Sequence, residues 1–408
     1  MQKYGGSSVG SIELIRRVAR RVARAREQGD EVVVVLSAMG DTTDRLLDLA
    51  RSVSERPSGR ELDALLATGE QVSVALMCMA LMALGCRAKS LTGGQVRILT
   101  DSHFNNARIR RVEPDAITRE LESGGVPVVA GFQGIDSAGN QTTIGRGGSD
   151  TTAVAVAAAV AADECQILTD VDGIYTTDPR MIPEARRLER ITFEEMLELT
   201  GQGARVLQLR AVAFAGRYNV PLRVLSSMGD GPGTLISHQQ TDMEAPAVSG
   251  IAFQRDEAEI TVSGVPDEPG IAHRILRAVS NAQIEVDMIV LNAARSGRVD
   301  FSFTVNRSDY RHVMELVRRE AAELGEILGN DRVVKVSVVG SGMRSHAGIA
   351  TTLLDTLARN GINVRMISTS EIKISVLLDE QHLESGVRSL HAAFDLGHDG
   401  QVQAMRHV

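Results

Sequence analysis

The 408-residue chain has no tryptophan, only 3% aromatic residues and three cysteines, and each shortage removes a class of protein. Stacking platforms for nucleobases need aromatic faces, so single-stranded nucleic acid has little to rest on. Cys78, Cys86 and Cys165 fit neither a disulfide framework nor metal-ligand spacing, and read as reduced core residues of a cytoplasmic protein. Excess positive charge is missing too: a net charge of -8 argues against nucleic acid and anionic membrane as partners. The N-terminal "MQKYGGSS" is followed by no apolar h-region, so no secretion signal is visible. The apolar run Ala153 to Ala162 falls well short of the roughly 20 residues a bilayer span needs, and Asp163 and Glu164 close it. Lysine is the last scarcity, with four among 44 basic residues, at positions 3, 89, 335 and 373. In a chain that uses arginine by default, Lys3 suggests a place where a compact ammonium is wanted; the plain alternative is a surface lysine.

What is present is aliphatic core material, 43% hydrophobic residues, in a length that suits two or three domains. The first half alternates buried strands (Glu31 to Gly40, Val126 to Gly134, Cys165 to Gly173) with helices (Arg16 to Gln28, Glu61 to Leu84, Asp150 to Ala162). That alternation predicts an α/β unit with a mainly parallel sheet sandwiched by helices, whose ligands gather where strands end. On the first helix the arginines between Arg16 and Arg26 read as a solvated face opposite Val18, Val22 and Ala25. A cluster of Gly, Pro and polar residues from Met228 to Val248 reads as a linker. Beyond it the chain repeats at an offset of 78: Pro269 to Ile289 matches Ala347 to Ile367, with Gly270 on Gly348, Ile271 on Ile349 and Met288 on Met366. Each copy reads as strand, glycine-started helix and strand, and is small enough that the two are expected to pack side by side.

Three stretches carry chemistry. "KYGGSSVGS" sets Lys3 before a Gly-Gly-Ser-Ser turn that opens a helix near Ser11. Glycines there let backbone N–H groups face phosphate oxygens, although the Walker pattern is absent. "GRGGSDTT" gathers Arg146 and the N–H groups of Gly147, Gly148, Ser149 and Asp150 at a helix start. A simple N-cap accounts for Ser149 and Asp150 but not for an arginine among three glycines. "TDVDGIYTTDPR", from Thr169 to Arg180, adds Tyr175 and Arg180 to an ordinary turn composition, as a nucleotide site could use. Glu70, in "ATGEQVS", heads an apolar helix, where its plainest role is to oppose the helix dipole.

Taken in order, "KYGGSS", "SAMGDTTD" from Ser37 to Asp44, "GEQ" at Gly69, "GRGGSDTTA" and "TDVDGIYTTDPR" resemble the aspartate kinase family, and the duplicated C-terminal half resembles its paired ACT modules. The resemblance implies an amino-acid-kinase fold over 1–235 and two α+β, ferredoxin-like ACT domains over 248–330 and 331–408. It implies phosphorylation of the side-chain carboxylate of L-aspartate by ATP with Mg2+, the first step of lysine, threonine and methionine biosynthesis. Carried over, Lys3, Asp150 and Arg205 would be catalytic. Lys3, Tyr4, Gly5, Gly6, Ser7 and Ser37, with Thr169, Asp170, Tyr175 and Arg180, would hold ATP. Thr43, Glu70, Arg146, Gly147, Gly148 and Ser149 would hold aspartate, Glu70 taking its ammonium and Arg146 a carboxylate. Lysine or threonine, or both, would bind as effectors at Asp267, Gly270, Ile271, Ala272 and Leu291 in the first copy. In the second copy Ile349, Ala350, Asn363, Val364, Ser370 and Glu371 would serve. The ACT pair also implies homo-oligomers and room for a separate regulatory subunit from an internal start near Met243.

Four features depart from the family pattern. Arg205 stands in "GARVL" where the family usually has lysine. Only Met1 and Gln2 precede Lys3, so either the true start lies upstream or a central strand is truncated, which would loosen Lys3. Leu291 and Ala350 replace residues that are often Gln and Thr or Ser, which predicts weaker feedback than is usual. Two other readings stay open at this point: a kinase of another acidic amino acid such as glutamate, and an effector-binding subunit with an inactive kinase domain.

Overall fold

The computed structural model describes residues 1–203, 206–238, 247–293, 297–321, 323–345 and 348–397. It divides into two compact units. The first holds Met1–Ile174, Arg187–Thr200 and the described residues from 206 to 238. The second holds Tyr175–Arg186, a short stretch beginning at Gly201, and the described residues from 247 onward.

The first unit is built on eight strands: β1 (Gln2–Tyr4), β2 (Val34–Leu36), β3 (Ala88–Leu91), β4 (Val126–Ala130), β5 (Cys165–Thr169), β6 (Arg190–Thr192), β7 (Leu222–Ser226) and β8 (Thr234–Ser237). Their order is β6-β8-β7-β5-β1-β2-β4-β3, and every neighbouring pair is parallel except β7 with β8. The short lead before Lys3 does not cost the sheet its centre. Lys3 is in register with Val35 on one side and Ile167 on the other, and all of β1 is buried.

Strand alternation then divides the work between two faces. Tyr4 points into a core with Val34, Leu36 and Val128, closed by Val18 and Val22 of α1 (Ile12–Glu27) and by residues of a later helix such as Met77 and Leu81. Lys3 points the other way. There its ammonium meets Asp150, on the helix that fills the opposite side.

The remaining helices of this unit that bear on the site are α2 (Thr42–Val53), α3 (Gly59–Leu66), α4 (Thr68–Ala83), α5 (Gly148–Ala159) and α6 (Leu209–Tyr218). Ser11 caps α1, its hydroxyl accepting from the Leu14 N–H at 3.2 Å. The single helix expected from Glu61 to Leu84 runs as α3 and α4, which meet at Ala67, where the backbone stays helical and the carbonyl also takes the Gln133 side-chain amide at 3.0 Å. Together Gly59–Ala83 is long and apolar enough to cross a membrane by length and composition. Its apolar residues Leu66, Val74, Met77 and Leu81 are buried, as are Asp63 and Glu70, so the stretch serves the core. α5 answers its own composition: every residue from Gly148 to Ala157 is buried.

The expected linker is shorter than its composition suggested. Thr234 and Ile236 are fully buried, and alternate with half-buried neighbours as β8. A small second sheet, formed by Ile109–Val112, Ile98–Thr100, Gln133–Ile135 and Gln141–Thr143, brings residues near 105 and 143 together.

The second unit is one six-stranded sheet of β9 (Gly250–Pro266), β10 (Val286–Ala293), β11 (Arg298–Asn306), β12 (Glu326–Val339), β13 (Met366–Thr369) and β14 (Lys373–Asp379), in the order β10-β11-β9-β12-β14-β13. Its helices are α7 (Ile271–Asn281), α8 (Tyr310–Ala321), α9 (Ile349–Arg359) and α10 (Leu383–Ala393). The repeats are more entangled than two units side by side. Gly250–Gln254 of β9 pairs with Lys335–Val339 of β12, and after a register shift Glu259–Ser263 pairs with Glu326–Asn330. Each long strand therefore serves both copies. Gly270 and Gly348, at φ 95° and 110°, start α7 and α9 at the same point of each repeat.

The repeat offset also exchanges charge. Glu257 and Asp287 in the first copy correspond to Lys335 and Arg365 in the second. The buried Lys335 ammonium pairs with both acidic residues, and Arg365 pairs with Glu259 and Asp379.

Candidate functional site

The loops at the C-terminal ends of β1, β2 and β4 converge with the start of α5 on a cavity of about 610 Å³ in the first unit. Lys3, Gly6, Ser37, Thr43, Glu70 and Arg146 line it, and so do Gly147, Gly148, Ser149 and Asp150. At its floor the Lys3 ammonium lies 2.6 Å from Asp150, both side chains about nine-tenths buried. The turn is bare at Gly6 for a steric reason. A Cβ on Gly6 would stand 2.9 Å from the Ala38 carbonyl, too close to fit; one on Gly5 would make ordinary contact with the Lys3 ammonium at 3.7 Å. Backbone and ammonium thus face the cavity without an intervening side chain, a cradle that fits phosphate groups.

Glu70 sits in the first turn of α4, 2% exposed. One carboxylate oxygen accepts the Ala38 N–H at 3.0 Å, and the other has no partner. Burial pushes this carboxyl up to about 7, the Ala38 hydrogen bond opposing the shift.

The arginine loop is held from below by groups the motifs did not reveal. Asp63 is fully buried and accepts the Asn105 N–H at 3.0 Å, the Thr143 N–H at 2.8 Å and the Thr143 hydroxyl at 2.6 Å. Arg210 of α6 donates to the Ile144 carbonyl at 2.8 Å and to the Ala107 carbonyl at 3.2 Å. Gly147 then starts α5 at φ 67°, a conformation that disfavours any side chain. Arg146 rides on this fixed loop, exposed and without an ion pair among the described residues.

Asp63→Ala would leave two backbone donors and a hydroxyl without their acceptor. The expected result is a loss of roughly 2–4 kcal/mol of stability, together with a higher KM for the substrate. Thermal denaturation and initial-rate kinetics on one preparation measure both; an unchanged Tm would show that Asp63 does not hold the two loops.

Residues 2–226 match the amino acid kinase family, and residues 259–322 and 336–394 each match the ACT domain. The aspartate kinase of Pseudomonas putida is 57% identical over 97% of both chains. The chain belongs to the aspartate kinase family. Among solved structures, the aspartate kinase from Synechocystis is 41% identical, with TM-score 0.55, over 97% of this chain and 69% of that one. Aspartokinase III of E. coli, solved in complex with aspartate and ADP, shares the fold at TM-score 0.75 and 24% identity, covering 96% and 98% of the two chains.

Against this family frame the expected site residues separate into groups. Tyr4 is set aside as a ligand contact, because its side chain is wholly buried and its hydroxyl is spent on Gln2 at 2.9 Å. Gly5 and the exposed Ser7 stand in the turn beside the cavity. Thr169 and Asp170 close β5, hydrogen bonded to each other at 3.0 Å. Tyr175 and Arg180 belong to the second unit. There Thr176 anchors their segment, its carbonyl taking the Ile251 N–H at 2.7 Å and its hydroxyl lying 3.0 Å from the His391 ring. Arg205 and Met243 lie outside the described residues, although Val206, Leu207 and Gln208, just after Arg205, line the cavity.

The effector candidates fall in two sets. Asp267, Gly270, Ile271 and Ala272 surround the start of α7, with Leu291 half-exposed on edge strand β10. Ile349 and Ala350 open α9, Asn363 and Val364 precede β13, and Ser370 and Glu371 make its turn into β14. Asn105, Phe132, Leu62 and Gln208 also line the cavity, and no motif had pointed to them.

Proposed function

We propose that this chain transfers the γ-phosphoryl group of ATP to the side-chain carboxylate of L-aspartate, giving 4-phospho-L-aspartate and ADP. The observation that carries it is the Lys3–Asp150 pair at the floor of a cavity that also presents Glu70 and Arg146. A carboxylate is already ionised at neutral pH and needs no base. Its oxygen forms the new bond to phosphorus as the bond to the ADP oxygen breaks. What the protein must supply is position and neutralisation of charge.

In this reading Lys3 meets the transferring group while Asp150 fixes the ammonium. Gly6 and Ser7, with the Ser37 hydroxyl, take the phosphates, while Gly5, whose N–H is given to the Leu168 carbonyl at 3.4 Å, shapes the turn. Thr169 and Asp170 serve the nucleotide, and Arg205 contributes charge to it. Arg146 takes a carboxylate of aspartate, Glu70 its ammonium, and Thr43 and Ser149 complete the polar wall. Among the described residues no three Asp, Glu, His or Cys side chains gather as a metal site. Mg2+ bound with ATP would supply further charge neutralisation at the phosphates.

The ACT domains support regulation of this step by lysine or threonine and assembly into homo-oligomers, with the product feeding lysine, threonine and methionine synthesis. Leu291 and Ala350 offer an effector no side-chain hydrogen bond, which supports weak feedback.

ADP release by the purified chain with Mg-ATP and L-aspartate, run beside L-glutamate, tests the proposal. Turnover with aspartate alone is expected. Turnover with glutamate at equal efficiency would reassign the substrate, and none with either would favour an effector-binding subunit.

The pH dependence is a sharper check on Glu70. In the free protein its carboxyl titrates near 7, and a docked ammonium favours the ionised form. Binding below that pH must release a proton, so affinity falls as pH falls. KM for aspartate is expected to rise roughly tenfold per unit below pH 7 and to be flat above about 8. Glu70→Gln should raise KM throughout and erase the slope; a wild-type KM level from pH 6 to 8 would remove Glu70 from ammonium binding.

A further inference from the structure

The arginine-rich face of α1 is largely exposed, as its spacing predicts, and it also bonds the loop after β7. Arg17 donates to the Met228 carbonyl, and Arg21 to those of Ser226 at 2.9 Å and Gly229 at 3.1 Å. Arg24 pairs with Asp230 at 3.6 Å. With Arg20 and Glu13, these side chains and the loop after β7 enclose a cavity of about 460 Å³. No residue lines both it and the cavity around Lys3.

Four guanidinium groups against two carboxylates, Glu13 and Asp230, leave an excess of two positive charges. Ser227 also lines the cavity, 6% exposed, its backbone N–H spent on the Thr169 carbonyl at 2.8 Å and its hydroxyl without a partner. A buried hydroxyl with nothing to bond is costly unless something outside the chain completes it. Arg20 is the least committed guanidinium, bonding only the Arg16 carbonyl through Nε at 3.3 Å.

We infer that this cavity binds a phosphate-type dianion, free or carried on a small metabolite. The excess charge matches a dianion, and forked donors with a hydroxyl suit a tetrahedral oxyanion approached from several sides. Arg17 and Arg21 keep the loop in place through its carbonyls, while Arg20 and Ser227 contact the ligand. Occupancy is coupled to β5, since Ser227 is hydrogen bonded to Thr169 at that strand's end.

Isothermal titration of the full chain tests this at constant ionic strength, with Mg-ADP saturating. The probes are inorganic phosphate and, in parallel, glycerol 3-phosphate. Saturable binding is expected, weakened about tenfold or more in Arg20→Glu and several-fold in Ser227→Ala, with kcat unchanged in both variants. Neither substitution removes a contact that holds the loop, and thermal melting verifies the fold. Tighter binding of the ester identifies a phosphorylated metabolite as the occupant, and tighter binding of inorganic phosphate identifies the free ion. Absence of saturable binding of either probe to the wild type, or full-strength binding in either variant, overturns the inference.

Discussion

Replacing Lys3 by alanine is expected to lower kcat by roughly a thousandfold, with a much smaller change in KM for aspartate. The expectation rests on where the ammonium sits. It leaves the centre of the sheet between β2 and β5, is about nine-tenths buried, and is held by Asp150 at 2.6 Å. A fixed cation beside a bare glycine turn stabilises charge that develops only as the phosphoryl group moves, so its loss falls on the chemical step. Lys3→Arg should not rescue, because a planar fork is too large for a site walled by Gly5 and Asp150. Removing Lys3 also strands a buried carboxylate, so the double variant Lys3→Met with Asp150→Asn separates effects. It should regain stability without regaining turnover. A kcat within tenfold of wild type in Lys3→Ala would exclude Lys3 from phosphoryl transfer.

Much of this arrangement is legible in the sequence, for a physical reason. In a parallel sheet the ligands lie where strands end, so the loops after Tyr4 and Leu36 and the turn at Gly145–Gly148 are marked by their small residues. The alternation of a strand also separates Lys3 from Tyr4, a distinction that reading the motif as a block had missed. Asp63 is different. In "RELDALL" it looks like one polar position of an amphipathic helix, and its partners lie 42 and 80 residues away. Only folding of the small second sheet brings Asn105 and Thr143 to it.

What the other stretches leave unread has the same origin. Arginines at i, i+3, i+4 and i+7 on α1 read as a solvated face and are mostly exposed, but their spacing does not reveal the carbonyls of Ser226, Met228 and Gly229 opposite them. Thr234–Ser237 was lost in a Gly- and Pro-rich stretch, because a four-residue strand has too few positions to show a period. The 78-residue repeat marked both glycine-started helices. That β9 and β12 each serve both copies follows from register, which composition does not carry.

Arg146→Ala is expected to raise KM for aspartate roughly 30- to 300-fold while kcat falls less. The loop that carries Arg146 does not depend on its side chain. Thr143 is bonded to Asp63, the Ile144 carbonyl to Arg210, and Gly147 already turns at φ 67°. Truncation should therefore remove a charge and leave the cavity standing, with Tm close to wild type. The guanidinium is exposed and unpaired among the described residues, so in the free protein it is hydrated. Its interaction is gained on binding, when a substrate carboxylate replaces water along both prongs of the fork. Arg146→Lys, which keeps the charge but loses the bidentate geometry, should fall between the two. Equal KM values for wild type and Arg146→Ala would move carboxylate recognition to the Gly147 and Ser149 N–H groups, those of Gly148 and Asp150 being given to the Gly145 and Gly147 carbonyls, with Arg146 then acting only on the rate of encounter. In that case raising the ionic strength would slow the wild type and leave the variant unchanged.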